Sequence, residues 1–123
     1  MSENPPLVFI VDDDEAVRSA TRLLARSFGW NARAFGSAQE FLEALPQGMP
    51  DCLLLDLNMP EMNGVELQLV LASRGIRIPV VVITGQKDSP LAARARAAGA
   101  HALLAKPFFD EELKQSVEEA LQG

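Results

Sequence analysis

Five short segments that favour β-strands, each followed by a stretch with helical periodicity, organise this sequence along most of its length. Four of them are apolar runs, at 7–11, 52–55, 79–84 and 102–105, and 31–35 is a weaker strand; the helical stretches span 14–28, 37–45, 65–72, 89–98 and 110–121. Unbroken apolar runs are typical of parallel strands that are covered on both faces, whereas half-exposed strands alternate between apolar and polar residues. Because right-handed crossovers place helices on both faces of such a sheet, the pattern predicts a doubly wound α/β fold with five parallel strands and five helices.

Local signals mark where some of these helices begin and end. Gly29 follows the first helical stretch and is typical of a C-terminal stop. Ser37 and Glu40 have the S-x-x-E spacing of a capping box, which predicts that the second helix begins there. Pro46 and Pro50 then interrupt the chain, so we expect this helix to end at about residue 45.

The chain has 123 residues, which is the size of one ordinary domain, so we expect a single domain over 1–123 with its core within 7–121. Eleven Lys and Arg residues against 17 Asp and Glu residues give a formal charge of −6. That balance argues against nucleic-acid binding by this chain, because phosphate contacts depend on clustered basic residues. The single cysteine, Cys52, excludes a disulfide framework. Since the apolar runs are too short to cross a bilayer, we expect a cytoplasmic protein without membrane contact.

Polar residues at the carboxyl ends of four predicted strands form the candidate site. Asp12 and Asp13 follow the first strand, Asp56 ends the third, Thr84 ends the fourth and Lys106 follows the fifth. In an open parallel sheet, ligands bind outside the carboxyl ends of the strands, where the strand order reverses. We therefore expect three carboxylates, a hydroxyl and an ammonium group to converge at one edge of the sheet.

This combination of groups is typical of phosphoryl chemistry. Two carboxylates about 4 Å apart repel each other by about 4 kcal/mol at an effective dielectric constant of about 20, so a cluster of them needs a cation. Oxygen ligands without His or Cys favour a hard ion such as Mg²⁺. The Lys and Thr side chains offer a phosphoryl group a positive charge and a hydroxyl donor. Because an Asp carboxylate can itself be the nucleophile, the pattern predicts Mg²⁺-assisted phosphoryl transfer to a protein carboxylate.

Four motifs, each at the end of a predicted strand, resemble those of a known family. They are VDDD at 11–14, DLNMPEMNG at 56–64, ITG at 83–85 and KPF at 106–108. In this order they resemble the receiver domain of bacterial two-component response regulators, and the likeness runs from about residue 7 to residue 121. Among receivers, the sequence is most similar to the FixJ-type subfamily.

The resemblance implies a flavodoxin-like fold with the strand order 2-1-3-4-5 and a chain that is not an enzyme acting on other molecules. Asp56 would be the phosphoacceptor, and the donor would be a partner histidine kinase or a small acyl phosphate. Mg²⁺ would be held by Asp12, Asp13, Asp56 and the backbone carbonyl of Asn58. Phosphorylation would change the surface of the fourth helix and fifth strand, where a homodimer forms, and so control a downstream output such as transcription.

The resemblance also assigns roles to residues around the phosphoryl group. Thr84 would hydrogen-bond the phosphoryl group and shift toward it on activation. Lys106 would pair with a phosphoryl oxygen, with its position fixed by a cis peptide bond to Pro107. Asn58 and Gln86 occupy positions where, in this family, side chains tune the rate of dephosphorylation.

One residue departs from the family pattern. Receivers usually carry Tyr or Phe three residues before the lysine, whereas this chain has Leu103 there and no Tyr at all. A buried leucine has less to rearrange than an aromatic ring. We therefore expect the signal to pass mainly through the loop after Thr84 and the Ala-rich fourth helix.

Other interpretations of the same residues remain open. Asp14 and Glu15 can serve to cap the first helix and complement its dipole. A hydrolase of the haloacid-dehalogenase type would carry a second Asp two positions after the nucleophile, where this chain has Asn58, and a flavodoxin-like electron carrier would need a Gly- and hydroxyl-rich loop after the first strand. A receiver-like docking module that works without phosphorylation would retain all the site residues.

Overall fold

Strands and helices alternate throughout residues 4–122, which are the residues that the computed structural model describes; positions 1–3 and 123 of the predicted domain lie outside them. The strands are β1 (Leu7–Val11), β2 (Asn31–Phe35), β3 (Cys52–Asp56), β4 (Val80–Thr84) and β5 (Ala102–Ala105). The helices are α1 (Glu15–Ser27), α2 (Ala38–Ala44), α3 (Gly64–Ser73), α4 (Pro90–Ala97) and α5 (Asp110–Gln122). All strand pairs are parallel, in the order β2-β1-β3-β4-β5, which confirms the predicted fold class and strand order.

Some element boundaries differ from the sequence-based expectation for local reasons. Pro79 precedes β4 and lacks the N–H that a paired strand residue would donate. After α2, a 3-10 helix spans Leu45–Gln47, because proline is tolerated in the first turn of a helix. In α3 the Asn63 side chain accepts from the Glu66 N–H at 2.9 Å and the Glu66 side chain accepts from the Asn63 N–H at 2.8 Å. This capping box fixes the start of α3 at Gly64.

Alternate residues of the sheet contribute to two hydrophobic cores, one on each face. Val8 and Ile10 pack with residues of α1 and α5, whereas Phe9 and Val11 pack with residues of α2, α3 and α4. Every residue of β3 and β4 is buried, as their unbroken apolar runs predicted. Because each fully buried large side chain contributes about 1.5–3 kcal/mol, the two cores hold the strand ends firmly in place. Within the described chain, no helix combines the length and apolar character that crossing a bilayer requires.

Candidate functional site

The carboxyl ends of the strands bring the predicted acids and lysine together at one edge of the sheet. Carboxylate oxygens of Asp12, Asp13 and Asp56 lie within 4.8 Å of one another. Lys106 Nζ lies 3.8 Å from Asp12 Oδ2 and 3.8 Å from Asp56 Oδ1. Asp12 and Asp56 are only 5% and 7% exposed, whereas Asp13 is exposed. The cluster therefore has a buried base and one side that is open to solvent.

Strand pairing and short loop contacts position the two buried carboxylates. The last residues of β1 pair with β3 in parallel register, so Asp12, the next residue after β1, lies beside Asp56 at the end of β3. The N–H of Asp14 donates to Asp12 Oδ1 at 2.9 Å, and the N–H of Asn58 lies 3.4 Å from Asp56 Oδ1. Each carboxylate thus accepts a backbone hydrogen bond from a residue two positions further along the chain, which restrains its orientation.

Arg18 of α1 holds the end of β1 in place, a role that the sequence analysis did not assign. Its Nη1 donates to the backbone carbonyl of Asp12 at 2.8 Å. A Cβ atom at Gly36 would lie 3.1 Å from the same Nη1, so the glycine leaves room for the guanidinium. The arginine is visible in the sequence, but its acceptor is a backbone carbonyl, which no residue type identifies.

Thr84 and Lys106 are joined through the ends of β4 and β5. The Lys106 N–H donates to the Thr84 carbonyl at 2.8 Å, and the Lys106–Pro107 peptide bond is cis, as predicted. Thr84 is 1% exposed, and its Oγ1 accepts from the Gln86 N–H at 3.1 Å. Because Oγ1 acts as acceptor in that contact, its own hydrogen is available for donation to a ligand.

Electrostatics makes the charged form of the two buried acids unfavourable. Burial, and next the negative charge of Asp12, raise the pKa of Asp56 from its ordinary value of 3.8 to about 6, while Lys106 acts in the opposite direction. Burial likewise raises the pKa of Asp12, against the Asp14 N–H and Lys106. One lysine therefore does not balance the carboxylates, and the cluster is compatible with a hard metal ion that takes oxygen ligands.

Several residues near this edge lie outside the acidic cluster. Asp14 is the N-cap of α1, where its side chain accepts from the N–H groups of Ala16 and Val17 at 2.9 and 3.1 Å, so the capping interpretation of this residue is confirmed. Leu103 is only partly buried against the core beneath α2, α3 and α4, which corrects the expectation of a buried leucine.

Known proteins share this fold and this sequence pattern. The family model of the response regulator receiver domain matches residues 8–118. The chain is 41% identical over 122 residues to response regulator protein TmoT of Ectopseudomonas mendocina, which covers 99% of this chain and 56% of TmoT. It is 36% identical over 115 residues to transcriptional regulatory protein FixJ of Bradyrhizobium diazoefficiens, which covers 94% of this chain and 56% of FixJ. The chain thus spans about half the length of these curated relatives.

A solved structure supports the same assignment. The crystal structure of FixJ-N superimposes with a TM-score of 0.91 at 38% sequence identity, and the match covers 99% of this chain and 96% of that one. Together with the family match, this confirms the resemblance predicted from the four motifs, and the chain belongs to the response regulator receiver domain family.

Proposed function

We propose that this chain is the phosphorylation switch of a two-component phosphorelay, in which Asp56 accepts a phosphoryl group from a partner histidine kinase or a small acyl phosphate. The observation that carries this proposal is the cluster of Asp12, Asp13 and Asp56 oxygens within 4.8 Å, with Lys106 Nζ 3.8 Å from two of the three carboxylates. Buried acids that repel one another lower the stability of a fold, so packing alone does not account for them. A site that receives a phosphoryl group needs such a nucleophile with cations beside it.

The donor set fits Mg²⁺. Asp12, Asp13 and Asp56 supply only carboxylate oxygens, and the backbone carbonyl of Asn58 would complete the share held by the protein. When bound, the ion would offset the charge of the carboxylates and of the phosphoryl oxygens. The exposed side of the cluster, at Asp13, is where water and the phosphoryl donor have access.

The chain's own residues account for the transfer step. An oxygen of the Asp56 carboxylate forms a bond to phosphorus, while the bond from phosphorus to the donor nitrogen or acyl oxygen breaks and the leaving group takes the electron pair. Lys106 favours the ionised nucleophile before transfer and would pair with a phosphoryl oxygen afterwards. The Thr84 hydroxyl would donate to another of these oxygens. We assign no reaction on other molecules, only phosphorylation and dephosphorylation of Asp56 itself.

The output follows from the contact between Thr84 and the loop that leads into α4. Since Thr84 Oγ1 accepts from the Gln86 N–H at 3.1 Å, a turn of the hydroxyl toward the phosphoryl group would alter that contact and the segment 85–89. The change would reach α4 and β5, whose surface would then bind a downstream partner or a second copy of the chain. This switch would operate in the cytoplasm, where phosphoryl donors are made, and control a transcription-type output without nucleic-acid contact by this chain.

Intact mass after incubation with acetyl phosphate and Mg²⁺ tests the proposal. We expect one Mg²⁺-dependent phosphoryl adduct, which is lost completely in Asp56→Asn and retained in Asp51→Asn, an exposed acid outside the cluster. If the folded wild-type protein takes up no phosphoryl group, the proposal is wrong and a docking module that works without phosphorylation is favoured.

Two further measurements test the path of the signal. We expect amide spectra of α4 to change when a phosphoryl mimic is added; identical spectra would exclude the path through Thr84. We also expect substitution of Asn58 and Gln86, which are both exposed beside the site, to change the rate of phosphoryl loss. Unchanged decay in both variants would rule out their tuning role.

A further inference from the structure

The turn between β1 and α1 carries two of the three acids of the cluster, and several contacts hold its backbone. Asp12 and Asp13 directly follow β1. The N–H of Asp12 donates to the Phe35 carbonyl of β2 at 3.1 Å, and the Asp14 side chain caps α1. A third restraint acts on the Asp12 carbonyl, which accepts from Arg18 Nη1 at 2.8 Å. A side chain of α1 thus holds the backbone of the acidic turn.

Asp13 depends on this backbone for its position. It is exposed, and within residues 4–122 its carboxylate makes no hydrogen bond or ion pair. Because the Asp12–Asp13 peptide bond is trans and planar, fixing the Asp12 carbonyl also fixes the direction in which the chain enters Asp13. A hydrogen bond from a charged donor contributes about 1.5–3 kcal/mol, so the Arg18 contact is strong enough to favour one orientation of this peptide unit.

The guanidinium group of Arg18 lies in a space that a glycine leaves open. Arg18 is half-buried, and a Cβ atom at Gly36 would lie 3.1 Å from its Nη1 and 3.5 Å from its Cζ. In the described part of the chain, no carboxylate lies within 4.0 Å of this guanidinium. The side chain is therefore placed as a donor to the backbone, and not as the partner of an acid in the cluster.

We propose that Arg18 is a positioning residue for the magnesium site: by holding the Asp12 carbonyl, it sets where the Asp13 carboxylate lies in the acidic cluster. The inference rests on the proposed function in that it assigns Mg²⁺ to this cluster. Because a guanidinium cannot ligate a cation, Arg18 would act only through the backbone. Residues that orient metal ligands in this way raise the affinity for the metal, since less order has to be imposed when the ion binds.

The sign of the effect on Mg²⁺ affinity separates positioning from charge. A positive side chain near a cation site repels the ion, so removal of the charge alone would strengthen Mg²⁺ binding. Loss of positioning would weaken Mg²⁺ binding, because the Asp13 carboxylate would no longer be held beside the other acids. Arg18→Met keeps a long unbranched side chain and removes both the charge and the donor, so the two explanations predict opposite changes.

Mg²⁺ titration of the folded chain, followed by the amide chemical shifts of residues 12–14 and 56–58, measures this change. We expect Arg18→Met to weaken Mg²⁺ binding by about tenfold. Arg22→Met removes a half-buried arginine one turn further along α1 and should leave the affinity within about twofold. A purely structural role of Arg18 would lower the free energy of unfolding and leave the Mg²⁺ affinity of the folded protein unchanged. Equal or tighter Mg²⁺ binding in Arg18→Met would overturn the proposal.

Gly36→Ala tests the same contact while Arg18 stays in the chain. The added Cβ forces Nη1 to move by a few tenths of an ångström, so we expect the Mg²⁺ affinity to fall by about two- to threefold. This effect should vanish when Arg18→Met is already present. Gly48→Ala, whose Cβ meets nothing within 4 Å, is the control. Equal effects of Gly36→Ala with and without Arg18 would overturn the proposal, and if Arg18→Met does not fold, equal affinities of the two alanine variants would do so.

Phosphoryl uptake is measured separately, so the two proposals fail in different ways. If Mg²⁺ binding follows the expected order of variants but the wild-type protein takes up no phosphoryl group, only the phosphorelay proposal is wrong. If phosphoryl uptake is intact and Arg18→Met binds Mg²⁺ as the wild type does, only the positioning role is wrong. Failure of the wild-type protein to bind Mg²⁺ would overturn both.

Discussion

The two ends of the parallel sheet differ in chemistry although the same strands form both. At the carboxyl end, the buried carboxylates of Asp12 and Asp56 repel each other beside a single lysine. At the amino end of β4, a mainly aliphatic cavity of about 470 Å³ lies between α3 and α4, and the buried Gln68 amide beside it has an oxygen without a hydrogen-bond partner among the described residues. Each end thus keeps a polar group in a setting that packing alone would disfavour. The difference teaches that the same rigid sheet holds opposite chemistries at its two ends, carboxylates where β1 and β3 end and aliphatic side chains of α3 and α4 where β4 begins.

The largest contrast between the two ends should be electrostatic. In the metal-free protein the pKa of Asp56 is about 6 in the folded state, against 3.8 ordinarily, so between these values the folded state binds more protons than the unfolded state. The free energy of unfolding should therefore fall by about 3 kcal/mol as the pH rises from about 4 to above 6. Urea denaturation with a chelator, repeated across this pH range, measures the loss. A flat profile for the wild-type protein would contradict it.

Asp56→Asn should remove most of this pH-dependent loss of unfolding free energy. At pH 7 without metal, we expect the variant to be more stable than the wild type by about 3 kcal/mol, because it lacks the buried charge and the pKa of Asp56 already includes the attraction of Lys106. Asp88→Asn, which removes an exposed acid from the loop before α4, serves as the control and should leave the pH profile unchanged. The acid end of the profile, where Asp56 is already protonated, should be the same in all three proteins.

Substitution of two glycines tests how much space the backbone has at each end of the sheet. A Cβ atom at Gly64 would lie 2.8 Å from Leu57 Cδ2 and 3.0 Å from the Asp56 carbonyl oxygen, so Gly64→Ala should cost about 2–3 kcal/mol of unfolding free energy. Gly75, between α3 and β4, has a φ of +69° with open space around it, so Gly75→Ala should cost only about 1 kcal/mol. Chemical denaturation of both variants checks the difference, and equal losses would show that the carboxyl end is not the more crowded one.

The smallest expected effects distinguish two neighbouring acids at the carboxyl end of the sheet, one that caps a helix and one that belongs to the acidic cluster. Asp14→Ala removes the N-cap of α1 and should cost about 1 kcal/mol of stability without changing Mg²⁺ affinity. Asp13→Asn should instead weaken Mg²⁺ binding and leave stability within about 0.5 kcal/mol, because the side chain is exposed. Denaturation and Mg²⁺ titration of both variants test this. A loss of metal affinity in Asp14→Ala would place that carboxylate in the site.

The sequence was sufficient to predict the strands and the convergence of the site residues. The bounds of β1, β2 and β5 match the expectation, and for β1 and β5 this is because apolar runs that stop at charged residues mark strand ends directly. What the sequence could not show depends on backbone partners and on packing between distant elements. The acceptors of Arg18 and Gln68 are backbone carbonyls, and the cavity exists only because α3 and α4 meet beside β4. The N-x-x-E spacing of Asn63 and Glu66 is a sequence signal for the capping box that begins α3, and it was not used above to predict that start.

The position of Lys106 has a consequence for protein synthesis. Its ammonium group offsets part of the negative charge of Asp12 and Asp56, yet it reaches them only when β5 has joined the sheet beside β4. A ribosome-bound chain that has not yet added β5 holds the two acids without this cation and without the backbone bond from Lys106 to Thr84. Under the function proposed above, the phosphoacceptor site would therefore be complete only once the whole sheet has assembled.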